Sequence, residues 1–189
     1  MSGHKFDPNM IDTLNDHSRL TRMKPDELWD AFGLSAPHVL IDIGAGTGIF
    51  ARHFASKLSG TVYACDSAPE MIAWMEEHIV AETRKRIVPT RSEESVIPLK
   101  NGIADLVYLI AVYHELHSPA ALLAEAKRLL KKGGVIAVVD WKPGSTQHGP
   151  PAGERVSPED VIDAFLRAGF SDVTQHDILE SHYVITAKK

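Results

Sequence analysis

Val39-Leu-Ile-Asp-Ile-Gly-Ala-Gly-Thr-Gly48 is the stretch whose reading decides the fold of this chain. It begins as a short apolar run broken only by Asp42, the pattern of a strand buried on both faces. The run passes into Gly44-Ala-Gly-Thr-Gly48, and from Ile49 the apolar residues Phe50, Phe54 and Leu58 recur at helical spacing. Strand, glycine-rich turn and helix in that order aim backbone N–H groups and a helix N-terminus at a bound ligand. The glycines allow close approach of that ligand and supply positive φ where the turn needs it. A carboxylate buried in an apolar strand is costly unless paired. Asp42 is therefore expected to hold the loop or to meet a positively charged ligand group.

Downstream, strand-like and helix-like segments alternate, which implies parallel pairing. Ser59-Gly60 ends a helix of about residues 47–58, and Thr61-Val-Tyr-Ala-Cys65 is a β-prone run that closes on Asp66. Pro69 starts a helix over about 69–84, acidic early and basic at Arg84-Lys-Arg86, as the helix dipole favours. In Ile87-Val-Pro-Thr90, Pro89 removes a ladder donor and predicts a strand at the sheet edge. Residues 104–111 are apolar enough for the sheet centre. Ser118-Pro119 is expected to cap a helix over about 119–132 that stops at Gly133-Gly134. The buried strand 135–139 follows and runs into Asp140-Trp141. Residues 143–153 form a loop rich in Pro and Gly, and Ser157 caps a further helix that ends at Gly169. Residues 173–178 and 182–187 are joined too tightly for a helix, so they pair as an antiparallel hairpin.

The expected fold is thus α/β: a Rossmann-like doubly wound, mostly parallel seven-stranded sheet with a C-terminal antiparallel hairpin. Residues 35–189 make up that domain. Residues 1–34 are expected to form an N-terminal helical arm or lid, with a helix after Pro25 whose apolar face is Leu28, Trp29 and Phe32. Residues 1–24 read equally well as a frayed terminus.

Composition narrows the function classes. The chain has 189 residues, 44% apolar and 24% charged, ordinary for one globular domain with a substantial core. A net charge of −5 argues against a broad basic surface and so against nucleic acid as a partner. The lone cysteine, Cys65, excludes an internal disulfide and a cysteine-cluster metal site, and no metal is expected. No apolar run is long enough to span a membrane, and the first residues lack a signal-peptide core, so the expected location is cytoplasmic.

In sheets of this kind ligands bind beyond the carboxyl ends of the strands. Those ends are residues 42–48, Asp66, residues 92–94, residues 111–115, and Asp140-Trp141. Asp66 stands 18 residues after Gly48 and can accept from both hydroxyls of a ribose. Met71 and Ile72 offer an apolar wall for a purine, with core packing the alternative for one of them.

With these residues in place the chain resembles the class I S-adenosylmethionine-dependent methyltransferases, of the small-molecule type represented by the ubiquinone and menaquinone biosynthesis enzymes. The likeness runs from about Val39 to Gly134. It is carried by Leu-Ile-Asp-Ile-Gly-Ala-Gly-Thr-Gly48, Ala-Cys-Asp66 with Met71, Ser-Glu-Glu94 before Ile-Pro-Leu99, Asn101-Gly-Ile-Ala-Asp105, His114, and Leu-Leu-Lys-Lys-Gly-Gly134.

The resemblance implies S-adenosyl-L-methionine as cofactor and S-adenosyl-L-homocysteine as product. Asp42 to Gly48, with Gly44, Ala45 and Gly46 among them, would meet the methionine part, and Ala111 would also belong to the cofactor site. Asp66 would hold the ribose, beside Ser67 and Met71. Glu93 would reach the adenine amino group, and the backbone of Glu94 a ring nitrogen. Family members often carry Gly-Asp before the Pro-Leu stretch, whereas this chain has Thr-Arg-Ser-Glu-Glu94, so Ser92 or Glu93 would take that role.

A sulfonium methyl is already electrophilic, and transfer needs an in-line acceptor and a dry site. A general base is needed only if the acceptor must lose a proton. His114 is the candidate base, with Tyr113, His117, Asp140 and Trp141 lining the acceptor pocket and His4 and Phe6 as candidate lid residues. Ala111-Val-Tyr-His-Glu115 replaces the Asn-Pro-Pro-Tyr type of segment that adenine-N6 modification would need. The rival readings are a methyltransferase-like binding module without catalysis and an NAD-dependent oxidoreductase. The latter lacks its third glycine at the Gly-x-Gly-x-x-Gly spacing.

Overall fold

The computed structural model describes residues 10–16, 18–79, 86–144 and 149–189. The expectations for His4 and Phe6 and for the middle of the 143–153 loop lie outside them. The helix expected over 69–84 stops at His78, where Ile79 turns extended, and residues 80–85 lie outside the described range. Three short helices come first: α1 (Met10–Asn15), α2 (Ser18–Met23) and α3 (Pro25–Ala31). Then follow β1 (Val39–Ile43), α4 (Ile49–Ala55), β2 (Thr61–Asp66), α5 (Pro69–His78), β3 (Ile87–Arg91) and β4 (Ala104–Ile110). A 3₁₀ turn at Tyr113–Glu115 leads to α6 (Pro119–Leu129) and β5 (Leu130–Trp141). A second 3₁₀ turn (Ala152–Glu154), α7 (Pro158–Arg167), β6 (Ser171–His176) and β7 (His182–Lys188) complete the chain.

The seven strands form one sheet in the order β3-β2-β1-β4-β5-β7-β6. The first five in that order pair in parallel, β7 is antiparallel to β5, and β6 is antiparallel to β7. This is the expected fold. Pro89 lies in the edge strand β3 and β4 lies at the centre, each where its residues predict.

Consecutive strand residues point to opposite faces, and the core divides accordingly. Leu40, Leu106 and Val139 join Leu28, Phe32, Phe54 and Met75 in one apolar layer under α3, α4 and α5. Ile41, Val107 and Val138 join Leu122, Leu129, Val161 and Phe165 in the other, under α6 and α7. Because β1 to β5 run parallel, their carboxyl ends share one rim of the sheet, where the site forms.

Two local expectations need correction. The helix after Ser118 ends at Leu129, because Leu130 pairs with Ala104 and opens β5. The ladder between β4 and β5 is shifted between Ala104 and Leu106, which absorbs Lys131 to Gly134 into the strand. Ser118, for its part, does not cap α6 with its side chain. Its backbone N–H donates instead to Glu94 Oε1 at 2.8 Å. Ser157 caps α7 as expected, accepting from the Asp160 N–H at 3.1 Å.

Candidate active site

The glycine turn is tied to β2 at two points. The N–H groups of Gly44 and Ala45 both donate to the Cys65 carbonyl, at 2.9 and 3.0 Å. Gly46 N–H donates to Asp66 Oδ2 at 2.7 Å, and Ala68 N–H donates to Asp66 Oδ1 at 2.8 Å. Each carboxylate oxygen keeps a further lone-pair direction for a ligand hydroxyl. Gly44, Gly46 and Gly48 all take positive φ, at 71°, 55° and 75°. A Cβ on Gly44 would stand 2.6 Å from Val112 Cγ2, so only glycine lets the turn lie against the chain leaving β4. That chain bends at Ala111, which is itself left-handed at φ 56° while its N–H donates to the Val139 carbonyl. Positive φ at a residue with a Cβ is strained and recurs at functional sites.

Asp42 stands beside Tyr108 of β4 in the ladder and is 3% exposed. Among the described residues its Oδ2 has no hydrogen-bond partner, and neither has the Tyr108 hydroxyl or Thr47 Oγ1. Burial pushes the Asp42 pKa up to about 8, against the pull of the nearby Tyr108 hydroxyl, with Asp66 adding to the rise and Arg19 opposing it. An orphaned buried carboxyl at the base of a glycine loop fits a cationic ligand group, because such a partner would restore its charge. The positive-φ turn, this carboxyl and the Asp66 oxygens together suit a nucleoside bearing an amino-acid head, as S-adenosylmethionine does.

The loop after β3 is clamped from below. Ile97 N–H donates to Glu125 Oε1 at 2.8 Å, and Arg128 donates to the carbonyls of Ile97 and Leu99, both at 2.9 Å. Ser92 is buried, with its N–H on the Asp66 carbonyl, while Glu93 is exposed and bridges Val96. Met71, in the first turn of α5, is buried and Ser67 is exposed. The Glu94 carboxylate accepts the N–H groups of His117 and Ser118 and sits 2.9 Å from His117 Nδ1. Burial works against that charge, but these bonds outweigh it and hold the Glu94 carboxyl below its usual range.

Next to the turn, β4 and β5 bring His114 and Asp140 together. His114 Nδ1 lies 2.8 Å from Asp140 Oδ1, and His114 N–H donates to Asp140 Oδ2 at 3.0 Å. Asp140 Oδ1 also accepts the Trp141 N–H at 2.7 Å. The side chains are 7% and 1% exposed. Burial would lower the imidazole pKa, but the Asp140 hydrogen bond and charge, with Glu115 and Glu154, raise it above the ordinary value. Because the carboxylate accepts at Nδ1, Nε2 is the nitrogen left with a lone pair, 3.6 Å from Glu115 Oε1.

The other candidates fall differently around this pair. Tyr113 is 2% exposed, packed in the core beside Leu122 and Val161, and burial raises its pKa. His117 is held outward by Glu94 with its side chain 86% exposed. Trp141 lies 4.0 Å, centre to centre, from the His182 ring, carries the Arg155 guanidinium at 5.4 Å, and would meet a Cβ on Gly149 at 2.6 Å. It is thus a platform for the segment from Gly149 to Arg155. Val112, Tyr108, Arg128 and Glu125 escaped sequence reasoning. Of these only Tyr108, aligned with Asp42 on the neighbouring strand, left a signal in the pattern.

Comparison with known proteins gives the same direction. Residues 41–138 match the family described as "Methyltransferase domain". A crystal structure of a SAM-dependent methyltransferase from Aquifex aeolicus is 30% identical, superposes with a TM-score of 0.90, and is covered to 99% by 97% of this chain. A malonyl-[acyl-carrier protein] O-methyltransferase of Geobacter sulfurreducens is 27% identical over 78% of this chain and 61% of its own length. A ubiquinone/menaquinone biosynthesis C-methyltransferase of Cupriavidus taiwanensis is 28% identical over 61% of this chain and 52% of its own. The chain thus spans only about half to three-fifths of these two curated relatives.

Proposed function

The chain belongs to the S-adenosylmethionine-dependent methyltransferase family, and we propose that it moves a methyl group from that cofactor to a small-molecule acceptor. The observation that carries this reading is the enclosed His114–Asp140 pair, on the chain that leaves β4 past Val112, the residue packed against Gly44. When bound, the cofactor supplies an electrophilic methyl group that needs no further activation.

The protein's residues do the rest. Asp42 receives the ammonium group, the Gly44–Gly46 turn lies against the methionine part with Ala111 across from it, and Asp66 accepts from the ribose hydroxyls. Ser67 and Met71 lie beside the ribose, and the Ser92–Glu94 backbone borders the adenine. His114 Nε2 takes a proton from the acceptor, while Asp140 fixes the tautomer and stabilises the imidazolium that forms. Trp141 and His117 border the acceptor side and Tyr113 supports it from beneath. The arm of residues 1–34 acts as a lid. Leu14 already reaches within 3.6 Å of the position a Cβ on Gly46 would take, which supports that role.

Acceptors modified at nucleic acid are set aside on the acidic balance of the chain. No helix among the described residues is long and apolar enough to cross a membrane. A screen of metabolite acceptors with methyl-labelled cofactor tests the function. Label should appear on a small acceptor with wild-type protein and fall strongly with His114→Ala. Transfer at an undiminished rate in that variant would remove the base from the account.

A further inference from the structure

The loops that follow β3 and β4 both reach the rim of the sheet where the site forms. In the sheet, β2 and β1 lie between those two strands, so no ladder of hydrogen bonds joins them. Glu94 spans the gap. Its Oε1 accepts the Ser118 N–H at 2.8 Å, and its Oε2 accepts the His117 N–H at 3.1 Å and stands 2.9 Å from His117 Nδ1. Hydrogen bonds from backbone N–H groups to a carboxylate are charge-assisted and stronger than neutral ones. The Glu94 backbone belongs to the stretch assigned to the adenine, while its carboxylate holds the chain that carries His114 into α6.

The far end of the same loop is fastened to the same helix. Glu125 and Arg128, near the end of α6, hold the Ile97 N–H and the carbonyls of Ile97 and Leu99. They are locked to each other by two contacts, Arg128 Nε to Glu125 Oε2 at 2.7 Å and Nη2 to Oε1 at 2.6 Å. The loop after β3 is thus tied to α6 at two separate points, and a displacement of one carries the other.

His114 sits in the middle of the short 3₁₀ turn that enters α6. Its order is expressed in three backbone bonds made with other residues than Glu94. His114 N–H donates to Asp140 Oδ2 at 3.0 Å, Glu115 N–H to the Val112 carbonyl at 3.0 Å, and Leu116 N–H to the Tyr113 carbonyl at 3.3 Å. A single 3₁₀ turn has poor hydrogen-bond geometry and little stability of its own. What fixes its exit at His117 and Ser118 therefore decides how firmly His114 is held.

We propose that Glu94 is a positioning residue that couples the cofactor site to the acceptor site. Adenine seated against the Ser92–Glu94 backbone fixes Glu94, and the Glu94 carboxylate then fixes the exit of the His114 turn. The coupling rests on the methyltransferase reading above. By linkage it is reciprocal, so an ordered His114 turn also favours the cofactor.

Amide hydrogen exchange read by NMR on the full chain, with and without saturating S-adenosylhomocysteine, tests the coupling. The reporters are the N–H groups of His114, Glu115 and Leu116. Because they bond elsewhere, loss of the bonds to Glu94 does not by itself change what the ligand does to them. Short turns exchange by local opening under native conditions. In the wild type, S-adenosylhomocysteine should slow all three reporters by about tenfold or more. In Glu94→Ala it should still slow exchange at Ser92 and Glu93, but leave the reporters at their ligand-free rates. Glu94→Gln keeps the side-chain shape without the charge and should show smaller slowing than wild type, which keeps the test open should Glu94→Ala not fold. Slowing as large in the variants as in the wild type, or none in a wild type that binds S-adenosylhomocysteine, overturns the coupling. A wild-type chain that does not bind S-adenosylhomocysteine overturns the methyltransferase reading instead.

Discussion

Asp140 grips His114 twice, with Oδ1 2.8 Å from the ring Nδ1 and Oδ2 accepting the backbone N–H at 3.0 Å. The ring is therefore fixed in orientation and tautomer by a single enclosed carboxylate. As a base it works only when neutral, and Asp140 holds its pKa above the ordinary imidazole value. Turnover should consequently rise with pH through an inflection above that value. Asp140→Asn removes the charge, so the inflection should move down while the rate at high pH falls by about 10²–10⁴-fold. A pH–rate profile of both proteins checks this, and an unmoved inflection would separate Asp140 from the base.

The orphaned carboxyl of Asp42 gives a second prediction. Its folded pKa is raised to about 8. For an acid with a raised folded pKa, stability is complete below the unfolded value and is lost as pH climbs towards the folded one. Asp42→Asn should thus be progressively more stable than wild type, before ligand is added, as pH rises from about 4 to about 8. The same variant should bind S-adenosylhomocysteine more weakly. Binding to wild type at neutral pH should release about one proton, read from calorimetry in buffers of different ionisation enthalpy.

Substitution at Gly44 meets two obstacles. Alanine there must hold φ near 71° and place its methyl 2.6 Å from Val112 Cγ2. Gly44→Ala should cost about 1–3 kcal/mol of stability and abolish measurable cofactor binding. Adding Val112→Ala removes the clash but leaves the backbone strain, so the double variant should recover part of the stability. Denaturant unfolding of the four proteins of that cycle gives the answer.

Asp66 joins the turn to β2 through Gly46 N–H and caps the approach to α5 through Ala68 N–H. Asp66→Ala leaves both donors without their acceptor, at a cost of about 1–3 kcal/mol, and removes the oxygens assigned to the ribose. Affinity for S-adenosylhomocysteine should fall by about 100-fold or more. Wild-type affinity in this variant would remove Asp66 from the cofactor site.

Much of this was legible in the chain because local signals and the global fold agree. Pro89 marks an edge strand since it lacks a ladder donor, and the apolar run 104–110 belongs at the centre since both its faces are covered. The hairpin follows from a linker too short for a crossover. What escaped depends on contacts between distant segments. Leu130 belongs to a strand because Ala104 is there to pair with it. Ser118 yields its capping role because Glu94, on another loop, reaches its N–H. The grip of Asp140 on His114 joins residues 26 apart through adjacent strands, and sequence reading named both without placing them in contact.

The central claim is that the turn from Asp42 to Gly48, with Asp66, is built for S-adenosylmethionine. Direct calorimetric titration of the wild-type chain with S-adenosylhomocysteine, with NAD as comparison, tests it. The account predicts saturable one-to-one binding of S-adenosylhomocysteine at or below millimolar concentration, abolished by Gly44→Ala, and no binding of NAD. Absence of S-adenosylhomocysteine binding at millimolar concentration, or equal binding of NAD, would contradict it.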